Sequence, residues 1–527
     1  MTELNFETYK DKVMGCWTGK NIGGTLGASR EGYRKTYNIN FYTQDLTGDP
    51  PPNDDLDLQL VWLAAVERYG NMVNASILGD YWLSFVIPHW GEYGMAKNNM
   101  RAGLAPPFSG YVDNDYKNSN GCFIRSEIWA CLAPGHPDIA VKYAYEDASV
   151  DHAEEGLYGE LFCAALQSAA FVECDKDKLV DIGLSYIPND CDVARCVNVA
   201  RKCFKDGIPI FEARTLIHKE APGSFGLHLY DKSPSGKRRS PKISEMDNEP
   251  DMEIGIAGYD APENIGFFIA GWYYGDDFGD AICKTVNFGE DTDCTAATLG
   301  ALMGIVMGES NLPRKWTEPL GGKITTMCID NTSDGIWIPK TVVEFTDRVI
   351  RVTPSFLGVE LCDLLAENGY TISVKSGTEL YRSKADDYIP KMTGTWINKD
   401  SSHLYLFSPF IQHLDYPAFE VLVDYLGEPF FETNVPRGIR IMAVTNAHHM
   451  RHQNWVKIKL YVPEGIKVLG ASEVELPLNY NIGSKSEILF EVVDETFIGS
   501  TLEMLVDVSL IGRHSYGIVK IVLKRQK

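Results

Sequence analysis

The chain is 527 residues long, 44% hydrophobic and 23% charged, with 49 Lys and Arg against 72 Asp and Glu and a formal charge of -23. At about 150 residues per domain this length calls for two or three domains, and the apolar fraction excludes disorder as the main state. So acidic a surface repels phosphate backbones and anionic membranes, which argues against nucleic acid or a membrane as partner.

Residues 1–12 alternate polar and charged side chains and lack the apolar run of about 7–15 residues that a secretory signal needs. No stretch of about 18 apolar residues follows, so no membrane span is expected. The twelve cysteines fall between Cys16 and Cys362 at irregular spacing, which reads as reduced thiols in a cytoplasmic protein. Cys191 and Cys196 have no partner motif for zinc.

From Phe6 to about Met307 apolar residues recur with helical period, as in Val61, Trp62, Ala65 and Val66, or Leu161, Ala164, Ala165 and Ala169. This part is predicted to be nearly all α. Gly15, Gly19, Gly23 and Gly27 recur every four residues, as do Gly300, Gly304 and Gly308. That spacing lines one helix face, where a second backbone can approach closely. The basic run Lys237, Arg238 and Arg239 lies in a Ser/Pro/Gly-rich stretch and reads as a solvated loop.

After about Thr353 the period changes to two. In residues 455–462, Val456, Ile458, Leu460 and Val462 share one strand face, with similar signals at 419–426, 503–510 and 517–523. Pro463-Glu464-Gly465 and Asn481-Ile482-Gly483 supply turns. The expected architecture is multidomain α plus β: a helical domain over 1–355, a connector over 356–394 and a C-terminal antiparallel β-sandwich over 395–527. His448, His449 and His452 lack zincin spacing and read as loop residues.

Two acidic clusters each precede a helical run: Asn53, Asp54, Asp55 and Asp57 before Leu58, and Glu290, Asp291 and Asp293 before Cys294. One such cluster reads as helix capping. Two of them in a crowded Gly- and Ala-rich domain repel one another unless cations offset the charge. Four carboxylates, Asp54, Asp55, Asp291 and Asp293, match two divalent ions, with Mg²⁺ favoured by oxygen ligation and Mn²⁺ as the alternative.

These segments resemble the ADP-ribosylglycohydrolase family. Residues 289–300, with Gly289-Glu290-Asp291-Thr292-Asp293-Cys294, are similar to the family's Gly-Gly-Asp-Thr-Asp-Thr signature. Residues 14–27 with Glu31 resemble its opening helix. Asn53-Asp54-Asp55 falls where the family has Thr or Ser before Asp-Asp, Asn120-Gly121-Cys122-Phe123-Ile124-Arg125 resembles Asn-Gly-x-x-Met-Arg, and Asp151-His152 resembles Ser/Thr-His. The resemblance implies an all-helical orthogonal bundle that hydrolyses the bond from ADP-ribose C1 at two Mg²⁺ ions. It implies Asn53, Asp54, Asp55, Asp291 and Asp293 as metal ligands and Glu31, Asp55 and Asp291 as catalytic groups. Asn120, Gly121, Arg125 and His152 become candidates for the substrate cleft. Cys294 stands where a hydroxyl ligand is expected, and Glu290 replaces a glycine and adds charge near the ions.

The expected chemistry places a ribose on the ions, with a water activated there attacking the anomeric carbon while carboxylates stabilise an oxocarbenium-like transition state. The substrate is an ADP-ribosylated or small ribosyl compound. A glycosidase acting on nucleosides or other small N- or O-glycosides is the alternative, and a non-catalytic ligand-binding protein with a degraded site is the reading from another class. Asp57 either ligates or caps its helix, Arg125 meets substrate or pairs with a core carboxylate, and His152 meets substrate or is satisfied in the core. Trp17, Trp62, Trp82, Trp90, Trp129 and Trp272 are core residues or stacking platforms. A homo-oligomer is compatible with all of this.

Overall fold

The computed structural model describes residues 2–32, 35–221, 259–330, 336–366, 369–382, 410–416, 418–445, 453–480, 484–513 and 515–526. The basic run at 237–239, the turn at 481–483 and His448, His449 and His452 lie outside the described residues.

The first helix, Phe6–Gly27, begins where the Asn5 side chain accepts a hydrogen bond from Thr8 N at 2.9 Å. All its residues from Gly15 to Gly27 are buried. Its four-residue glycine repeat meets the helix Thr292–Met307, which runs antiparallel to it. A Cβ at Gly15 would overlap the Gly304 carbonyl, one at Gly19 the Gly300 carbonyl, one at Gly23 that of Ala296 and one at Gly27 that of Thr292. Two backbones therefore touch along four turns, a contact that only missing side chains allow. Around this pair lie Asp54–Tyr69, Glu127–Leu132, Glu154–Ala169, Ala261–Tyr274 and Val342–Leu357, whose apolar residues form one continuous core. Among the described residues no helix is long and apolar enough to cross a membrane. All twelve cysteines are free thiols.

The segment expected as a connector is partly structured. Its strands Cys362–Asp363 and Thr371–Val374 form an antiparallel sheet with the N-terminal strand Thr2–Asn5, and Cys362, Ile372, Val374 and Leu380 are buried in the helical core. The helical unit thus reaches beyond residue 355, because an N-terminal strand too short to read in the sequence finds its partner about 370 residues away.

The C-terminal part is a sandwich of two five-stranded sheets. One runs in the order Glu473–Leu478, Asn454–Tyr461, Thr501–Leu510, Tyr516–Arg525 and Phe430–Phe431; the other Ile411–Asp415, Phe419–Asp424, Arg437–Thr445, Lys485–Asp494 and Ile466–Leu469. Alternation places Val456, Ile458 and Leu460 of one sheet in the same core as Val421, Val423 and Ile441 of the other.

Three helical-unit residues, Leu104, Phe108 and Val112, belong to this sandwich core, and the Phe108 ring lies 4.3 Å from that of Tyr425. Nearby, His413 bridges the units. Its Nδ1 is 3.1 Å from Glu146 on the helix Pro137–Ala148 and its Nε2 is 3.2 Å from Glu420.

Gly23→Ala should cost about 3 kcal/mol in chemical denaturation, because its methyl overlaps backbone that cannot yield. An unchanged midpoint would contradict the backbone contact. The two carboxylates hold the His413 imidazolium against burial, so its pKa is raised to about 10. Its stabilisation is complete below the unfolded value of about 6.5 and is lost as pH rises from there through about 10. Melting temperatures of wild type and His413→Ala should differ most at pH 6 and converge above pH 10.

Candidate active site

The first helix brings the two acidic clusters together. On one face Gly27 packs on Thr292, whose hydroxyl donates to the Gly27 carbonyl at 2.8 Å, fixing the start of the second helix with Asp291 and Asp293. On another face Gly24 leaves room for the Asn53 amide. Asn53 Oδ1 accepts from Asp55 N at 2.7 Å and so caps the helix Asp54–Tyr69. Past Gly27 the chain turns, and Gly32 N donates to the Glu290 carbonyl at 2.9 Å, which sets Glu31 beside the same cluster.

Ligand atoms of Asp54, Asp55 and Asp293 lie within 4.8 Å of one another, as do those of Asp291, Asp293 and Cys294. Both carboxylate oxygens of Asp55 and one each of Asp291 and Asp293 are buried with no hydrogen-bond donor. Burial, and then the neighbouring carboxylates, hold Asp54 and Asp293 well above the ordinary aspartate range. Asp55 is pushed up by burial to about 7 despite the opposing Lys20 ammonium, and Glu31 by burial, Asp291 and Asp55 to about 8. Donor-free buried oxygens and raised acids are the mark of uncompensated negative charge. The donor set therefore fits divalent cations, with the Cys294 thiol as its one soft member.

A cavity of about 580 Å³ opens over this cluster. It is lined by Glu31, Asn53, Asp54, Asp291, Asp293 and Cys294 on one side and by Trp90, Glu92, Tyr116, Ser119 and Asn120 on another. The described lining residues all belong to the helical unit. Asn120 Nδ2 donates to Asp291 Oδ2 at 2.7 Å, so Asn120 faces the cluster as expected.

Gly121 also lines the cavity, whereas Arg125 and His152 depart from their expected place in the cleft. At Gly121 any Cβ would overlap the Glu92 carboxylate. Arg125 is fully buried behind the wall, with Nε 2.8 Å from Asp147 Oδ1, Nη2 2.5 Å from Asp151 Oδ1 and Nη1 donating to the Gly121 carbonyl at 2.5 Å. Its charge is spent on core carboxylates. His152 is also buried behind the lining, with Nε2 2.9 Å from Ser119 Oγ and Nδ1 3.0 Å from Asp151 Oδ1.

Asp57 does not face the cluster: its Oδ2 accepts from Met327 N at 2.7 Å and Cys328 N at 2.6 Å, bracing a loop whose Met327 lines the cavity. Glu290, at φ +66, is buried and paired with Arg214 at 3.3 Å, so its charge is compensated away from the cluster. Of the six tryptophans weighed as stacking platforms, Trp17, Trp62, Trp82, Trp129 and Trp272 are buried, whereas Trp90 is 49% exposed at the cavity.

The sequence reading missed Glu92, Ser119, Tyr116 and Tyr259, which all line the cavity. Glu92 is in the first turn of the helix Gly91–Arg101, where an acid reads as an ordinary response to the helix dipole. No local pattern separates it from a capping residue.

Fold and cluster together define a helical domain with an acid-lined cavity, joined to a β-sandwich. The model of the family described as ADP-ribosylglycohydrolase matches residues 5–345, and the chain belongs to that family of metal-dependent enzymes that hydrolyse glycosyl bonds. Over 45 residues it is 44% identical to the ADP-ribosylarginine hydrolase Tri1 of Serratia proteamaculans (strain 568), a match covering 8% of this chain and 12% of that protein. It is also similar to a solved structure titled ADP-ribosylglycohydrolase-related protein complex, at 18% identity and a TM-score of 0.41, over 67% of this chain and 99% of that one.

Carboxyl groups raised by burial oppose folding once they ionise, so metal-free protein should lose stability as pH rises from about 4 to about 8. Mg²⁺ should restore it and release protons on binding at pH 7. Melting curves with and without Mg²⁺ check this, and Asp293→Asn should flatten both the pH slope and the Mg²⁺ effect. A profile unmoved by the cation would remove the case for a metal site.

Proposed function

We propose that the protein is a Mg²⁺-dependent glycohydrolase that cleaves the anomeric bond of an ADP-ribosyl group or related ribosyl compound. The carrying observation is the meeting of Asp54, Asp55, Asp291 and Asp293, from segments more than 200 residues apart, at one end of a cavity sized for a small ligand. Asn53 through its amide oxygen, Asp54, Asp55, Asp291 and Asp293 would hold two cations, which when bound neutralise the cluster, orient ribose hydroxyls and acidify a water. Mn²⁺ is the alternative ion.

Glu31, at the same end, takes the proton of the attacking water. Asn120 keeps Asp291 in one orientation by its 2.7 Å hydrogen bond. Positive charge that develops on the ribose ring faces the surrounding carboxylates, which stabilise it. Trp90 and Tyr116 offer rings against which a base or sugar can lie.

A second reading, a small N- or O-riboside such as a nucleoside, is favoured by the charge of the site. Glu31, Asp54, Asp55, Asp291 and Asp293 outnumber the charge of two divalent ions and disfavour an anionic pyrophosphate nearby. A cytoplasmic setting with a small-molecule or modified-protein substrate suits either reading.

A panel of ADP-ribosylated protein, free ADP-ribosyl compounds, nucleosides and alkyl and aryl ribosides, each with Mg²⁺ and with chelator, tests both. The expected result is Mg²⁺-dependent release of a ribosyl product, lost in Asp293→Asn with the helical circular dichroism retained. Inertness toward the whole panel would overturn the enzymatic reading.

A further inference from the structure

Glu92 has no part in the chemistry above, yet its surroundings are built. The Trp90-Gly91 break at the start of the helix Gly91–Arg101 aims its side chain at the cavity. Its carboxylate lies against the Cα of Gly121, in space that any side chain at 121 would take. The Gly121 carbonyl is itself held by Arg125 Nη1 at 2.5 Å. Two residues before Gly121, the Ser119 side chain hydrogen-bonds Glu92 and stands 2.9 Å from His152 Nε2, while His152 Nδ1 is 3.0 Å from Asp151, which Arg125 clamps. A chain of buried groups, Arg125, Asp151, His152 and Ser119, thus ends in one carboxyl that opens onto the cavity.

Asn120 links this carboxyl to the acidic cluster. Its side chain donates to Asp291, while the residues on either side of it, Ser119 and Gly121, contact Glu92. Glu92 and the cluster therefore address the same part of the cavity from opposite sides of one residue. Hydrolysis of a glycosyl bond requires an acid for the departing atom as well as a base for water, and the cluster side supplies only the base.

We propose that Glu92 is the general acid that protonates the leaving group, positioned by Ser119, His152, Asp151 and Arg125. In the step, the water oxygen bonds to the anomeric carbon and its proton passes to Glu31. The bond from that carbon to the leaving atom breaks with both electrons going to the leaving atom, which takes the Glu92 proton. Glu31 then releases its proton to solvent, and solvent reprotonates Glu92. Burial raises the Glu92 carboxyl above the usual glutamate range, opposed by His152, its own backbone N–H and Ser119, with Asp151 adding to the rise. The charged and titratable groups facing it are His152 and Asp151, with Arg125 beyond them and Tyr93 beside it. An acid must carry its proton, so activity falls once pH is high enough to deprotonate Glu92.

The assignment rests on the glycohydrolase reading, and two ribosides separate the two claims. With Mg²⁺ present, kcat/KM is measured against pH for a 4-nitrophenyl riboside, whose leaving group departs without a proton, and for the methyl riboside, whose leaving group needs one. In Glu92→Gln the methyl riboside should lose about 10²–10⁴-fold, at least a hundred times more than the aryl riboside, and its alkaline limb should vanish. Ser119→Ala removes a group that lowers the Glu92 carboxyl and should move that limb to higher pH. Equal losses on both substrates, or a limb that survives Glu92→Gln, would overturn the acid assignment while leaving the glycohydrolase reading intact. A limb unmoved in Ser119→Ala would overturn the positioning role. Wild type inert toward both ribosides and the wider panel would overturn the glycohydrolase reading and this assignment with it.

Discussion

The structure depends on a bare-backbone contact between its first helix and the helix Thr292–Met307. Gly15, Gly19, Gly23 and Gly27 meet Gly304, Gly300, Ala296 and Thr292 with no side chain between them. Such a contact leaves little freedom of rotation or slide, because ridges of any other residue would push the helices to the usual 8–10 Å separation. It fixes where the first helix ends and where the second begins, and both ends carry the chemistry. Gly24, on another face, does the same for Asn53 and the aspartates after it.

The tight packing holds together groups that repel. Burial raises the pKa values of Asp54, Asp55, Asp293 and Glu31, and neighbouring carboxylates, Asp291 among them, raise them further. Other buried charges of the helical unit are paired, Lys20 with Glu127 at 3.1 Å, Arg125 with Asp147 and Asp151 and Arg214 with Glu290, although Glu160 is buried with neither oxygen hydrogen-bonded. The contrast locates function. What sets the acidic cluster apart is that several unpaired carboxylates meet at one cavity, a place that suits an arriving cation.

Much of this was legible in the sequence because it is periodic or locally clustered. The glycine repeats announced a close helix contact, the alternation at 455–462 and 503–510 announced strands that form as Asn454–Tyr461 and Thr501–Leu510, and the acidic clusters announced a shared site. What was not legible depends on partners far away in the chain. Nothing beside Asp57 says that it will bind the amides of Met327 and Cys328, and nothing beside Arg125 says whether its guanidinium turns to solvent or to Asp147. Thr2–Asn5 is too short for a strand pattern, and its partner Thr371–Val374 lies in a stretch of mixed signals. Glu92 looks like any acid at a helix start until Gly121 and Ser119 are seen around it.

Leu104, Phe108 and Val112 complete the core of the β-sandwich although they belong to the helical unit. They lie between Trp90 and Glu92 on one side and Ser119 and Asn120 on the other, so the stretch that borders the cavity twice is pinned midway by the other unit. Neither half is thereby a free-standing module. Exchanging the C-terminal part for an unrelated one would strip this stretch of its anchor and unsettle the cavity wall.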